Sequence, residues 1–254
     1  MSHSNESFSH SPEILTTLRK QQQDYYFEPF DANAHINNKT VIGLMGPTGI
    51  GKTTLSNEVV RIDTDVAAIN TMTTRARRTD DPEGFMTANE GVTHQTMYDD
   101  IARRRLVHYS VHDDGHVYGT SPDGFAGAYS IGPMSSDSVD NLLSVGFRDF
   151  FPVFMATDAD TYQQRLEQAS QRYPDISKRL NDSLAIISFG RLNHDAPWLS
   201  FIDSGSDPTS LNNAAADVVR IANQRTLPIM GFDRRLDLLD QMEHTIERAQ
   251  RQLG

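Results

Sequence analysis

Gly46-Pro47-Thr48-Gly49-Ile50-Gly51-Lys52-Thr53 is the stretch that decides how this chain is read. It matches the pattern G-x-x-x-x-G-K-[ST] at every fixed position. Thr40 to Met45 (TVIGLM) precedes it as a short apolar run that reads as a buried strand. A helix is expected to follow, from about Gly51 to Val60. The glycines let backbone N–H groups turn inward around phosphate oxygens, and the helix start adds its positive dipole. In such a loop the Lys52 ammonium reaches the β- and γ-phosphates, and the Thr53 hydroxyl is a ligand for Mg²⁺. The expected ATP-binding set is therefore Gly46, Pro47, Thr48, Gly49, Ile50, Gly51, Lys52, Thr53 and Thr54. The competing reading is a chance glycine-rich turn before a helix. All four fixed positions, between a strand and a helix, argue against it.

Working outward, strands and helices alternate. Val66 to Met72 reads as a strand and Thr93 to Arg105 as a helix. Leu106 to Val111 and Val117 to Tyr118 read as two strands around an Asp-Gly turn, a hairpin signal. A helix is expected over Asp137 to Val145, and an apolar strand over Phe150 to Ala156. Helices over Thr161 to Arg172 and Ile176 to His194 are parted by Pro174. Trp198 to Asp203 is the last strand, followed by helices over Leu211 to Asn223 and Arg234 to Leu253. The last helix carries Leu236, Leu239, Met242 and Ile246 on one face. This alternation implies an α/β fold with a parallel sheet core.

The expected organisation is an N-terminal extension over 1–38, partly disordered, a phosphate-loop domain over 39–225, and a C-terminal amphipathic helix over 226–254. Ser2 to Ser11 is rich in Ser and His with little apolar content, and Tyr25, Tyr26, Phe27 and Phe30 are expected to pack on the domain surface.

Composition narrows the function. The chain has 254 residues, a formal charge of -11 and no cysteine. Disulfides, thiolate zinc sites and thiol nucleophiles are excluded, which suits a reducing, cytoplasmic setting. No run of about eighteen apolar residues occurs, so no membrane span is expected. The acidic balance argues against a general nucleic-acid binder. Cationic chemistry rests on nineteen arginines and only four lysines, one of them Lys52. After the second strand comes Thr71-Met72-Thr73-Thr74-Arg75-Ala76-Arg77-Arg78. Guanidinium forks there suit a phosphate monoester, and Tyr118 adds a hydroxyl donor. The bland alternative is an arginine-rich surface turn offset by Asp80, Asp81 and Glu83. Arg103, Arg104 and Arg105 read as a solvated helix end, where positive charge suits the dipole.

With these segments in order, residues 40 to 225 resemble guanylate kinases. The loop with its flanks (GPTGIGKTTL), the Thr71 to Arg78 segment, Glu83-Gly84-Phe85, and Tyr118-Gly119-Thr120-Ser121 carry the resemblance. Arg165-Leu166-Glu167, Arg172 and Lys178-Arg179-Leu180 resemble the family's mobile lid. The resemblance implies a small α+β acceptor-binding insert at about 73–125 and a helical lid at about 165–182. It implies phosphoryl transfer from ATP to a small phosphorylated acceptor, GMP first, with Mg²⁺. Thr71, Arg75, Arg78, Tyr118, Thr120 and His108 are the implied acceptor residues. Lys52, Arg179 and Arg172 are the implied catalytic ones, with Arg75, Arg77, Arg78, Arg172 and Arg179 converging on one cleft.

The chain also departs from the family. Guanylate kinases read guanine with carboxylates, because its N1–H and N2–H₂ are donors. His108 stands where the family has Glu, and Tyr129 to Met134 carries no carboxylate where the family's next core strand ends in Asp-x-Asp. Arg77 stands in place of Pro, and Gln168 to Arg172 replaces the lid's Gly-Arg-Gly. Ser110 to Gly119 is similar instead to a stretch of the ribose 1,5-bisphosphate phosphokinases, which lack the clear arginine segment seen here. Three readings stay open: a guanylate kinase, a kinase of sugar phosphates or other nucleotides on the same fold, and a non-catalytic nucleotide-binding or scaffold module. The intact Lys52 and Thr53 speak against the last. His108, His112 and His116 lie four apart, but Gly115 and the β-branched neighbours favour a hairpin over a metal stripe. Asp158 and Asp203 end apolar runs, where helix capping is favoured over contact with Mg²⁺ through water.

Overall fold

The computed structural model describes residues 12–22, 24–27, 36–78, 85–112, 114–172, 176–205, 207–224 and 230–253. The readings placed on Ser2 to Ser11, Phe30, Asp80, Asp81, Glu83, Gly84 and Pro174 lie outside them.

Five strands form a wholly parallel sheet. They are β1 (Thr40–Met45), β2 (Val66–Ala68), β6 (Tyr129–Pro133), β7 (Asp149–Ala156) and β8 (Ser200–Asp203), in the order β2-β6-β1-β7-β8. Strand β1 is buried at every residue, as its unbroken apolar run predicts for a central parallel strand. Helices cover the sheet: α2 (Lys52–Ile62), α4 (Val139–Ser144), α5 (Ala159–Arg172), α6 (Ile176–Leu192), α7 (Pro208–Gln224) and α8 (Phe232–Leu253). Helix α8 buries Leu238, Leu239, Met242 and Ile246 against α5 and α6, and Leu236 is half-buried at the margin of that stripe. The phenyl rings of Phe154 and Phe201 stack at 5.1 Å between β7 and β8.

A second, antiparallel sheet of order β3-β5-β4 is built from β3 (Met72–Thr73), β4 (His108–Val111) and β5 (Val117–Thr120), beside α3 (His94–Ala102). The expected single strand over Val66 to Met72 is thus divided between two sheets. The Ile69 N–H still bonds to Ile131 of the parallel sheet, at 2.8 Å. The Asn70 N–H instead donates to Gly124 O at 2.9 Å, and the chain leaves for the other sheet. Hydrophobic pattern alone does not reveal such a switch, because both halves are partly buried. Two predicted helices are also shorter than expected. Helix α3 stops at Ala102, with Arg104 in the left-handed region (φ 53°). Ser136–Ser138 winds as 3-10 helix before α4.

The N-terminal helix α1 (Pro12–Gln22) packs on β4 and α3. Leu18 and Tyr25 are buried in a second apolar cluster with Leu106, Tyr109 and Val117. The Tyr25 hydroxyl donates to Leu106 O at 2.6 Å, and its ring meets Tyr109 edge-on at 4.9 Å. Burial raises the Tyr25 hydroxyl to about 12, so it stays a donor. This segment therefore supports the small sheet from behind, while β4 turns its other face toward the phosphate loop. Tyr26 lies beneath the Arg104 guanidinium at 3.9 Å and Arg105 pairs with Asp100, so the arginine run sits at the end of α3. No helix among the described residues is long and apolar enough to cross a membrane.

Candidate functional site

One cavity of about 690 Å³ lies between the C-terminal ends of the parallel strands and the small sheet. This is where open α/β sheets gather their ligands. Its floor is the loop between β1 and α2. Gly46 has φ 140°, and a Cβ there would stand 2.9 Å from Met155 O on β7. Gly49 has φ 82°, and a Cβ there would stand 3.3 Å from Arg165 O on α5. At both positions the chain needs a positive φ and a close backbone approach, so Gly46 and Gly49 are steric requirements.

Thr48, Gly49, Ile50, Gly51, Lys52, Thr53 and Thr54 all border the cavity. Gly46 and Pro47 do not. Their carbonyls instead accept hydrogen bonds from the Lys52 ammonium, at 2.6 and 3.1 Å. Burial, and then the nearby Arg179 charge, push Lys52 down to about 8. A bound polyphosphate would relieve that desolvation. Below pH 8 the ammonium is ready for an anion; above it, binding must first recover a proton. Affinity for Mg-ATP is therefore expected to hold below about pH 7. It should fall roughly tenfold per pH unit above about pH 8. Lys52→Arg, which does not titrate there, should flatten that limb. Calorimetric titration across pH 6–10 checks this, and a wild-type profile that stays flat to pH 10 contradicts it.

Five of the six acceptor residues expected from sequence line the same cavity. Thr71, Arg75, Arg78, His108 and Tyr118 border the cavity. Arg75 is only 6% exposed, its guanidinium is 5.1 Å from the Phe85 ring centroid, and its Nη1 donates to Ala76 O at 2.8 Å. Thr120 does not border the cavity: it is fully buried, with its hydroxyl 3.5 Å from that of Thr71. Arg77 departs from the expected convergence. Its Nε pairs with Glu90 at 2.9 Å and its backbone N–H donates to Asn89, which turns it to the outer side of the segment. The same Glu90 carboxylate caps the turn at Thr87, and these bonds hold it down to about 2.

Strand alternation decides what β4 offers. His108, Ser110 and His112 face the cavity, while Tyr109 packs in the apolar cluster behind. His108 is only 8% exposed, and its Nδ1 has no hydrogen-bond partner among the described residues. Burial pushes it down to about 4, so it is a neutral imidazole at pH 7. His112 is also lowered, first by burial, against the raising influence of Asp114. Its ring lies 4.6 Å from that of Tyr118.

Arg172 and Arg179, the arginines expected in a lid, both border the cavity. Arg179 reaches across to Asp114 at 3.9 Å, and Asp182 to His112 at 3.9 Å, so α6 meets the β4–β5 hairpin over the cleft. Arg165 was matched in sequence without a role. It donates to Ile50 O at 2.7 Å and Ser204 Oγ at 2.8 Å, and bonds the Ser204 and Gly205 carbonyls. It thereby ties the phosphate loop to the turn after β8. Its position one helical turn from Gly49's contact with Ala169 was not legible before the helix was placed. Asp158 caps α5 through Thr161 (2.9 and 2.8 Å), and Asp203 bonds Gly205 N and pairs with Arg234 at 3.4 Å. No cluster of three His, Asp or Glu side chains with metal-binding geometry occurs among the described residues. Thr53, exposed at the first turn of α2, supplies one hydroxyl oxygen. Mg²⁺ keeps several waters and takes ligands from phosphates, so this one oxygen fits a site that a nucleotide would complete.

No protein-family model matches the chain, and no curated protein does. Among solved structures, a guanylate kinase from Anaplasma phagocytophilum is similar to it with a TM-score of 0.49 and 13% identity. The match covers 75% of this chain and 86% of that one. The fold class rests on the chain's own sheet order and loop: a mixed α/β protein with a five-stranded parallel sheet.

Proposed function

We propose that the chain is a phosphotransferase that moves the γ-phosphoryl of ATP to a small phosphorylated acceptor, with GMP the first candidate. The observation that carries this is the meeting, around one cavity, of the phosphate loop, the Arg75 and Arg78 pair and the Arg172 and Arg179 pair, from four parts of the fold. An acceptor phosphate oxygen forms the new bond to the γ-phosphorus, the bond to the β,γ-bridging oxygen breaks, and ADP leaves with that electron pair. Lys52 and the loop amides hold the donor phosphates, and Thr53 would hold Mg²⁺, which neutralises phosphate charge when bound. Arg75 and Arg78 hold the acceptor phosphate. Arg179 and Arg172 meet the charge that spreads over the equatorial oxygens. Positioning and charge neutralisation suffice, without a covalent intermediate.

A second reading is favoured by the cavity face of β4. His108, Ser110 and His112 are neutral groups that both donate and accept, and Asp114 is committed to Arg179. Guanine presents adjacent donors that call for a carboxylate, whereas sugar hydroxyls match such bifunctional groups. A sugar phosphate is therefore the alternative acceptor. A coupled ADP-release assay with Mg-ATP separates the readings. GMP, dGMP, AMP, UMP and ribose bisphosphate form the panel. Release with GMP alone supports the first reading, and release with the sugar phosphate alone the second. ATP bound without acceptor-dependent release would mean a nucleotide-binding module and end the kinase proposal.

A further inference from the structure

Helices α5 and α6 carry the lid arginines, and both rest on Thr48 of the phosphate loop. From α5, the Tyr162 hydroxyl donates to Thr48 O at 3.1 Å. From α6, the Ser183 oxygen accepts the Thr48 N–H at 2.9 Å. The Ser183 hydroxyl then donates to Arg179 O, one turn earlier on the same helix, at 2.7 Å. Tyr162 and Ser183 are both fully buried. Burial raises the Tyr162 hydroxyl, which keeps its proton and its role as donor. The backbone N–H and C=O of Thr48 are therefore both held, one by each helix. The neighbouring Gly49 packs so closely on α5 that an added Cβ would meet Arg165 O and the Ala169 Cβ at 3.3 and 3.4 Å.

A buried helical serine commonly bonds the carbonyl four residues back, which alone would satisfy its proton. Ser183 does more, because its oxygen also takes an amide of the loop. One hydroxyl thus joins the phosphate loop to the backbone of Arg179, whose charge acts on Lys52. Two cations held together repel one another, so their approach needs a mechanical tie. Asp114, 3.9 Å from Arg179, holds the outer end of that guanidinium. Ser183 holds its root.

We propose that Ser183 is a positioning residue that sets Arg179 against the phosphate loop, so that Lys52 and Arg179 close on the same phosphate group. This rests on the phosphotransferase reading above. Ser183 does not touch the ligand; it acts through Arg179. A small misplacement of a charged group at the reacting centre can cost roughly a hundredfold in rate.

The test is a double-mutant cycle of Ser183→Ala and Arg179→Ala, with Ser183→Thr as the variant that keeps the hydroxyl. Mg-ATP affinity and kcat for ADP release are read, and thermal melts monitor folding. Ser183→Ala is expected to lower kcat about ten- to a hundredfold with KM for ATP changed less. It should add nothing in the Arg179→Ala background, and Ser183→Thr should restore the rate. Effects that multiply in the double variant overturn the proposal, as does a Ser183→Ala protein with wild-type rate. If the wild-type protein binds ATP but never releases ADP, the kinase reading falls and the cycle is read on affinity, where the same coupling is expected. Additive affinities then overturn the positioning role alone. A wild-type protein that does not bind ATP overturns both.

Discussion

Lys52→Ala is expected to abolish measurable phosphoryl transfer, lowering the rate by at least about 10²–10³-fold, the scale seen when one preorganised transition-state donor is removed. The reason lies in how the ammonium is held. Without a ligand it donates to the carbonyls of Gly46 and Pro47 at the turn of its own loop. It is pressed toward neutrality by burial and by Arg179. No other lysine borders the cavity. Folding should survive the change, because Lys52 is only partly buried and makes its hydrogen bonds within its own loop. A thermal melt at or above wild type, with lost ADP release, would confirm that the effect belongs to the site. Release at more than a tenth of the wild-type rate would contradict the assigned role.

Arg75→Ala is expected to raise the acceptor KM about ten- to a hundredfold, corresponding to about 1.5–3 kcal/mol for one hydrogen-bonded charge. KM for ATP should move little, since Arg75 lies outside the phosphate loop, on the segment after β3. Its guanidinium is packed against Phe85 and backed by Ala76 O, so it is aimed by its surroundings. Arg75→Lys should recover only part of the loss, because an ammonium replaces a planar fork with a point charge. Steady-state kinetics with each substrate varied in turn check the split. An Arg75→Ala protein with both KM values unchanged contradicts an acceptor role. Arg77→Ala serves as the neighbouring control, since its partner is Glu90 on the outer side.

The glycine-rich loop between β1 and α2 is legible in the sequence because its pattern is local. Eight consecutive residues form the loop, and Gly46 and Gly49 each stand at a positive φ where an added Cβ would crowd a backbone carbonyl. The alternation of strands and helices was legible for the same reason. The acceptor half was legible only in part. Arg75 and Arg78 border the cavity as the sequence reading expects, but Arg77, grouped with them there, does not, since a sequence does not reveal that Glu90, thirteen residues on, claims it. The division of the strand after α2 between two sheets was hidden, because it depends on which partner each amide finds. The roles of Arg165, Tyr162 and Ser183 were hidden too. All three bond to the loop or the turn after β8 from helices far along the chain, and nothing in their local pattern separates them from ordinary helical residues. His108 was located by its place in a motif; its neutrality and unpartnered Nδ1 follow from burial, which only the packed strand reveals.

The central claim is that the loop at Gly46 to Thr53 holds the phosphates of a nucleoside triphosphate. Calorimetric titration of Mg-ATP into the full chain, beside the Lys52→Ala variant, tests it most directly. The account predicts saturable binding of one nucleotide per chain, lost in Lys52→Ala while the variant remains folded. No binding by the wild-type protein, or equal affinity in the variant, would contradict it.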